Sequence, residues 1–200
     1  MTLAFSMWIF ALTGAVSPGP VNIIATTTGS QFGVMRALPF VLGATVAYVL
    51  VVVTVGLSMA IATHVLPAIE PLLTLLGSAY LLYIAYRIAV SAPFGESSDA
   101  RLLVNPASFM DGFLTQVLNP KAWLVAMSGI GLFVTGVESA ISPLLLFSII
   151  SFIACFTGVG TWACAGHLLR PWVSGPVSGR IFNSVMALLL VTCVLWIWIG

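Results

Sequence analysis

The chain has 200 residues, 60% of them hydrophobic and 6% charged, with a formal net charge of +1 and a mean hydropathy of +1.18. Soluble domains run near 45–50% apolar and about 25% charged, so this composition excludes a soluble core, and the near-zero charge without a basic or aromatic stripe excludes nucleic acid as a partner. A membrane crossing takes about 20 apolar residues, so six helices with their loops use the whole chain, and any function sits within the membrane helices.

Apolar runs cut at charges and turn residues predict helices near Leu3 to Thr26, Ala37 to Val65, Ile69 to Val90, Phe109 to Val134, Leu144 to Leu169 and Ile181 to Ile199. The first run lacks the basic flank of a signal peptide, and Pro18-Gly19-Pro20 falls where a simple apolar region would end, so it reads as a retained helix. Ser17-Pro18-Gly19-Pro20 interrupts it partway along, with Asn22 just beyond. In the second and third helices Tyr48, Tyr80 and Tyr83 could line a pathway, with packing as the simpler reading. Glu70, at the start of the third, suits the helix dipole and is a candidate proton carrier.

Ser91 to Asn105, with Glu96, Asp99 and Arg101, is the longest polar stretch and the only segment that reads as a linker. Asp111 then opens the fourth helix, again as a cap with proton carriage as the alternative, and Asn119-Pro120-Lys121 interrupts that helix at a depth matching the first break. His167, near the end of the fifth helix, has a ring that titrates near neutral pH; binding the last carbonyls is its simpler reading. Cys155, Cys164 and Cys193 lie in apolar stretches with no ligand spacing, so they read as small hydrophobes, and neither a metal nor another cofactor is expected.

The linker divides the chain into a first repeat, 1–90, a cytoplasmic linker, 91–106, and a second repeat, 107–200, within one transmembrane domain. Three helices in each half force the halves into opposite orientations. The expected fold class is therefore an all-α membrane protein of six transmembrane helices in two inverted three-helix repeats, with helices 1 and 4 broken at proline. Arg36 follows helix 1, Arg87 and Arg101 follow helix 3, and Arg170 and Arg180 follow helix 5, while the other loops hold no Lys or Arg. The positive-inside rule puts those three loops in the cytoplasm and both termini outside.

Interrupted helices in matching positions of two halves point to a transporter's binding site. Pro18, Pro20 and Pro120 each remove a backbone donor and free carbonyls that lipid cannot satisfy, and Asn22 and Asn119 bring amide donors and acceptors beside the two breaks. Lys121 costs on the order of 2.5–3.5 kcal/mol at a helix centre. Its ammonium is expected to pair with a substrate carboxylate or compete during release, whereas the bland alternative is snorkelling to the interface.

Three elements resemble the LysE/RhtB family of amino-acid exporters across essentially the whole chain. They are Ser17-Pro18-Gly19-Pro20-Val21-Asn22, then Gly77-Ser78-Ala79-Tyr80-Leu81-Leu82-Tyr83 with Arg87, and Gly112-Phe113-Leu114-Thr115-Gln116-Val117-Leu118-Asn119-Pro120-Lys121-Ala122. The third element adds Gln116 to the candidate substrate-binding residues. Within the family, Trp162 to Leu168, Asn183 and Ala187 to Val191 look most like the cysteine and O-acetylserine exporter branch. The resemblance implies export of a small amino acid or derivative across the bacterial inner membrane by proton antiport, in a homodimer, with no enzymatic activity. A passive channel is the nearer alternative, but no acidic ring or carbonyl filter is present. An intramembrane serine hydrolase built on Ser128 and His167 fails because Ala126 stands where its G-x-S-G pattern requires glycine.

Overall fold

The computed structural model describes residues 3–91, 105–135 and 141–199, with the helical backbone alone for 59–70. These residues form eight helices: α1 Leu3–Val16, α2 Pro20–Phe32, α3 Val34–Leu57, α4 Met59–Val90, α5 Phe109–Val117, α6 Pro120–Phe133, α7 Ile141–Val173 and α8 Pro176–Ile199. Four stretches are long and apolar enough to cross a membrane, namely Val34–Leu57, Pro71–Val90, Ile141–Val173 and Pro176–Ile199, and the count becomes five if α1 and α2, bent by 64°, make one span. The protein is thus an all-α, multi-span bundle with a bent N-terminal helix. At 9 and 14 residues, α5 and α6 are each too short to cross alone.

The distribution of polarity is that of a bundle solvated by lipid. Leu50, Leu57, Leu132, Leu188 and Trp196 are exposed, while Asn22, Thr26, Thr27, Thr28, Ser30, Thr45, Gln116, Asn119 and Asn183 are buried. Polar side chains retreat into the bundle, where partners and cavities can satisfy them.

The first helix was expected to end near Thr26, where hydropathy falls at Thr26-Thr27-Thr28-Gly29-Ser30-Gln31. Instead α2 continues to Phe32. The hydroxyls of Thr26, Thr27 and Thr28 donate to the carbonyls of Asn22, Ile23 and Ile24 at 2.8, 2.9 and 2.8 Å, and Ser30 donates to Thr27. Each of these hydroxyls is consumed by its own helix, so that part of the stretch can be buried. Small residues then allow close contact: a Cβ on Gly29 would lie 2.0 Å from the Ala163 carbonyl oxygen, and one on Gly166 would lie 2.0 Å from that of Thr26. The pair Gly43 and Gly112 does the same for α3 and α5, with a Cβ 1.9 Å from the Phe109 carbonyl oxygen or 2.1 Å from that of Phe40.

Other boundaries also differ. The turn expected between Val65 and Ile69 is helical, and the chain breaks instead at Ser58, between α3 and α4. Apolar residues run through both places, so hydropathy marks neither. The fifth helix was expected to end near Leu169 and the sixth to start near Ile181; instead α7 runs on to Val173 with Pro171 inside its last turns, and Pro176 opens α8, where the missing donor costs nothing. Residues 92–104 of the expected linker lie outside the described residues.

Candidate functional site

Both interruptions sit where the prolines place them. Val16 ends α1, Gly19 adopts an extended conformation, and Pro20 starts α2. In the second, Val117 ends α5 and Pro120 starts α6, with the Asn119 side chain accepting a hydrogen bond from the Lys121 backbone N–H at 3.2 Å.

The freed carbonyls are satisfied by side chains. Asn22 Nδ2 donates to the carbonyls of Ala15 and Ser17 at 2.9 and 2.8 Å. The indole N–H of Trp162 on α7 donates to the Val16 carbonyl at 2.9 Å, and that of Trp123 on α6 donates to the Val117 carbonyl at 2.7 Å. Each break therefore keeps one tryptophan that closes the carbonyl of its last helical residue. Lys121 joins the two breaks, its Nζ donating to Ser17 Oγ at 2.6 Å and reaching the carbonyls of Ser17 and Pro18 at 3.4 and 3.5 Å.

Between the breaks lies a half-open cleft. Of the residues expected from the sequence, Ser17, Gly19, Asn22, Gln116, Asn119 and Lys121 line it together. Pro18 contributes its carbonyl, while Pro20 and Pro120 serve as first residues of α2 and α6. Tyr48, for which packing was the preferred reading over lining a pathway, and Cys155, read as a small hydrophobe, also reach the cleft, from α3 and α7. Nothing in the sequence distinguished them from packing residues, because their depth relative to the breaks follows from how α3 and α7 cross. Asn22 is 4% exposed, and its Oδ1 has no hydrogen-bond partner among the described residues although the amide nitrogen has two. An orphaned buried acceptor beside a tethered ammonium suits a ligand that brings N–H donors.

Two of the candidate proton carriers, Asp111 and His167, are elsewhere. Asp111 closes a capping box at the start of α5: Ser108 N and Ser108 Oγ both donate to its Oδ2 at 2.7 Å, and its own N–H donates to Ser108 Oγ. It also accepts from the Tyr80 hydroxyl at 3.0 Å and lies 3.9 Å from Arg87. His167 is exposed on α7, which continues to Val173, so it does not serve the helix's last carbonyls. The Glu70 side chain lies outside the described residues.

A second cavity opens at the other end of α2 and is lined by Thr27, Thr28, Gln31, Arg87, Ser91 and Asn105 among others. Beside it, Gln31 Nε2 donates to Asn183 Oδ1 at 2.8 Å and to Ser91 Oγ at 3.1 Å, and Asn183 Nδ2 donates to Ser91 Oγ at 3.0 Å. This knot ties α2 to the end of α4 and to α8. Among the described residues no group of His, Cys, Asp and Glu could hold a metal ion.

Comparison with known proteins agrees with the motifs. The model of the LysE type translocator family matches residues 12–196. The cysteine/O-acetylserine efflux proteins of Escherichia coli K12 and of Shigella sonnei are each 31% identical over 193 residues, covering 96% of this chain and 95% of theirs. No solved structure matches the chain. The chain belongs to the LysE family of translocators: it is a multi-pass helical transporter of the bacterial inner membrane and not an enzyme.

Proposed function

We propose that this LysE-family chain exports a small neutral amino acid or amino-acid derivative from the cytoplasm, with cysteine and O-acetylserine as first candidates, in exchange for protons. The observation that carries the proposal is the single cleft in which two broken helices present Ser17, Gly19, Asn22, Gln116, Asn119 and Lys121 to one ligand. Half-helix N-termini favour a carboxylate and unwound carbonyls favour a cation. The first turns of α2 and α6 and the Ser17 and Pro18 carbonyls thus match the two ends of a zwitterion. The absence of any described carboxylate in the cleft lining argues against a dibasic solute. The curated relatives named for cysteine and O-acetylserine efflux support the substrate class.

In this reading α5 and α6 together form a sixth, broken crossing, and residues 1–90 and 107–200 are inverted repeats joined by a cytoplasmic linker. Helix pairing supports it: α1 and α2 pack on α7, and their counterparts α5 and α6 pack on α3. Arg36, Arg87 and Arg170 then mark the cytoplasmic side and both termini lie outside. The second cavity becomes the cytoplasmic mouth, and the knot of Gln31, Ser91 and Asn183 one of the contacts that must yield when the halves rock. We place the working unit as a homodimer, as the family resemblance implies. Alternating access is favoured over a passive pore because the cleft is obstructed by the bonds of Lys121 to the opposite break.

Efflux of preloaded radiolabelled cysteine, O-acetylserine, threonine and leucine from cells expressing the protein tests the proposal. One solute should leave faster than from control cells, and Asn119→Ala should abolish the gain. No acceleration for any of them, with the protein verified in the membrane, would overturn it.

A further inference from the structure

We infer that Lys121 is the residue that carries the coupled proton, and that proton and solute occupy one cation cradle in turn. The inference rests on the exporter reading above and names the coupling group within that site.

The cradle consists of Ser17 Oγ, the Ser17 carbonyl and the Pro18 carbonyl, at 2.6, 3.4 and 3.5 Å from Lys121 Nζ. Unwound carbonyls in a broken membrane helix are the usual seat of a coupling cation. Here an amino group tethered to α6 fills that seat. Its partners are a hydroxyl and two carbonyls, so among the described residues the charge is held by dipoles with no carboxylate to fix it. Among the described residues the titratable groups facing it are Tyr48 from α3, Cys155 from α7 and Cys193 from α8. On α4, Tyr80 and Arg87 are engaged with Asp111 instead. Asp111 is the only carboxylate whose side chain is described, and it is committed to its capping box at the start of α5. Lysine can give up its proton in such surroundings, whereas arginine remains charged.

The ammonium group of an amino acid has the charge and the three donors of the lysine head, so it fits the same oxygens. While Lys121 is protonated the cradle is full. When Lys121 gives its proton to cytoplasmic water, its neutral amine leaves the cradle to the solute's ammonium, for which Asn22 Oδ1 is an additional acceptor. The solute carboxylate then meets the first turn of α2, which Gly19 leaves without a side-chain cap. After the solute departs outside, a proton from that side restores the Lys121 ammonium and the carrier returns. Each cycle moves one zwitterion out and one proton in, so one net positive charge enters, and neither can pass while the other holds the cradle.

The test uses the full-length protein reconstituted in vesicles, with the solute that efflux identifies. For the wild type, solute affinity should rise about tenfold per pH unit over the range where Lys121 is protonated, because one proton competes with one solute. Lys121→Gln should still exchange labelled for unlabelled solute, at a lower rate, but should lose pH-dependent affinity and accumulation driven by a pH gradient. Lys121→Arg should block exchange and accumulation alike. Accumulation retained in Lys121→Gln would overturn the inference, as would wild-type affinity that does not change with pH; the latter needs no variant to fold. Failure of the wild type to exchange any amino acid would instead remove the exporter reading itself.

Discussion

Replacing Asn22 with leucine separates the hydrogen-bonding role of this side chain from its volume. The substitution removes two bonds, from Nδ2 to the carbonyls of Ala15 and Ser17 at 2.9 and 2.8 Å. Side-chain hydrogen bonds in membrane bundles average about 0.6 kcal/mol and reach about 1.7, so the pair contributes about 1–3 kcal/mol. The Ser17 carbonyl keeps Lys121 Nζ at 3.4 Å as a partial replacement, whereas the Ala15 carbonyl loses its side-chain partner, and a buried orphan acceptor costs about 1–3 kcal/mol. Against this, Oδ1 is already buried without a partner, and removing it recovers part of the loss. The net expectation is about 2 kcal/mol of destabilisation, read by reversible unfolding of the purified protein in detergent. Asn22→Asp keeps the shape but turns an acceptor toward two carbonyls, and should be worse than leucine. A leucine variant within about 0.5 kcal/mol of wild type, or an aspartate variant more stable than it, would refute the assignment of the first break's carbonyls to Asn22.

Gly166→Val should destabilise by about 3 kcal/mol, seen as loss of monodisperse protein after extraction, because a Cβ there meets the Thr26 carbonyl oxygen at 2.0 Å and backbone cannot yield as a side chain would. Asp111→Asn should cost about 1 kcal/mol through the capping box of α5, while accumulation driven by a pH gradient persists in vesicles; its loss would move the proton carrier from Lys121 to Asp111. Trp123→Phe should lower stability by about 1 kcal/mol in unfolding assays by stranding the Val117 carbonyl, with Trp162→Phe doing the same at Val16.

The breaks were legible in the sequence because proline acts locally: Pro18, Pro20 and Pro120 remove donors wherever the chain goes, and Asn119 caps the helix that Pro120 begins. Asp111 read as a cap from its place at a helix start, although its reciprocal bonds with Ser108 were not anticipated. What hydropathy obscured was the opposite kind of fact. The polar run Thr26 to Gln31 resembled a loop because composition does not show that α7 covers it or that each hydroxyl bonds its own helix. The helix ends set near Leu169 and Ile181 fell short because a helix accepts proline in its first turn, as at Pro176, and can carry one near its end, as at Pro171, when the bundle holds it. Within the site, Lys121 stood out by its charge, but its partner Ser17, 104 positions away, and the convergence of Tyr48 and Cys155 depend on helix crossings that one sequence does not encode locally. Asn183 was visible only as part of a family motif; its bonds to Gln31 and Ser91 show why an amide belongs there.

Equilibrium binding of radiolabelled cysteine and O-acetylserine to the purified protein in detergent addresses most directly the claim that the cleft between the breaks is the solute site. Saturable binding by the wild type, weakened tenfold or more (about 1.4 kcal/mol) by Asn119→Ala and by Gln116→Ala but unchanged by Asp111→Asn, is the result expected of this cleft. Saturable binding that both cleft variants retain in full would place the solute elsewhere in the bundle and contradict the account.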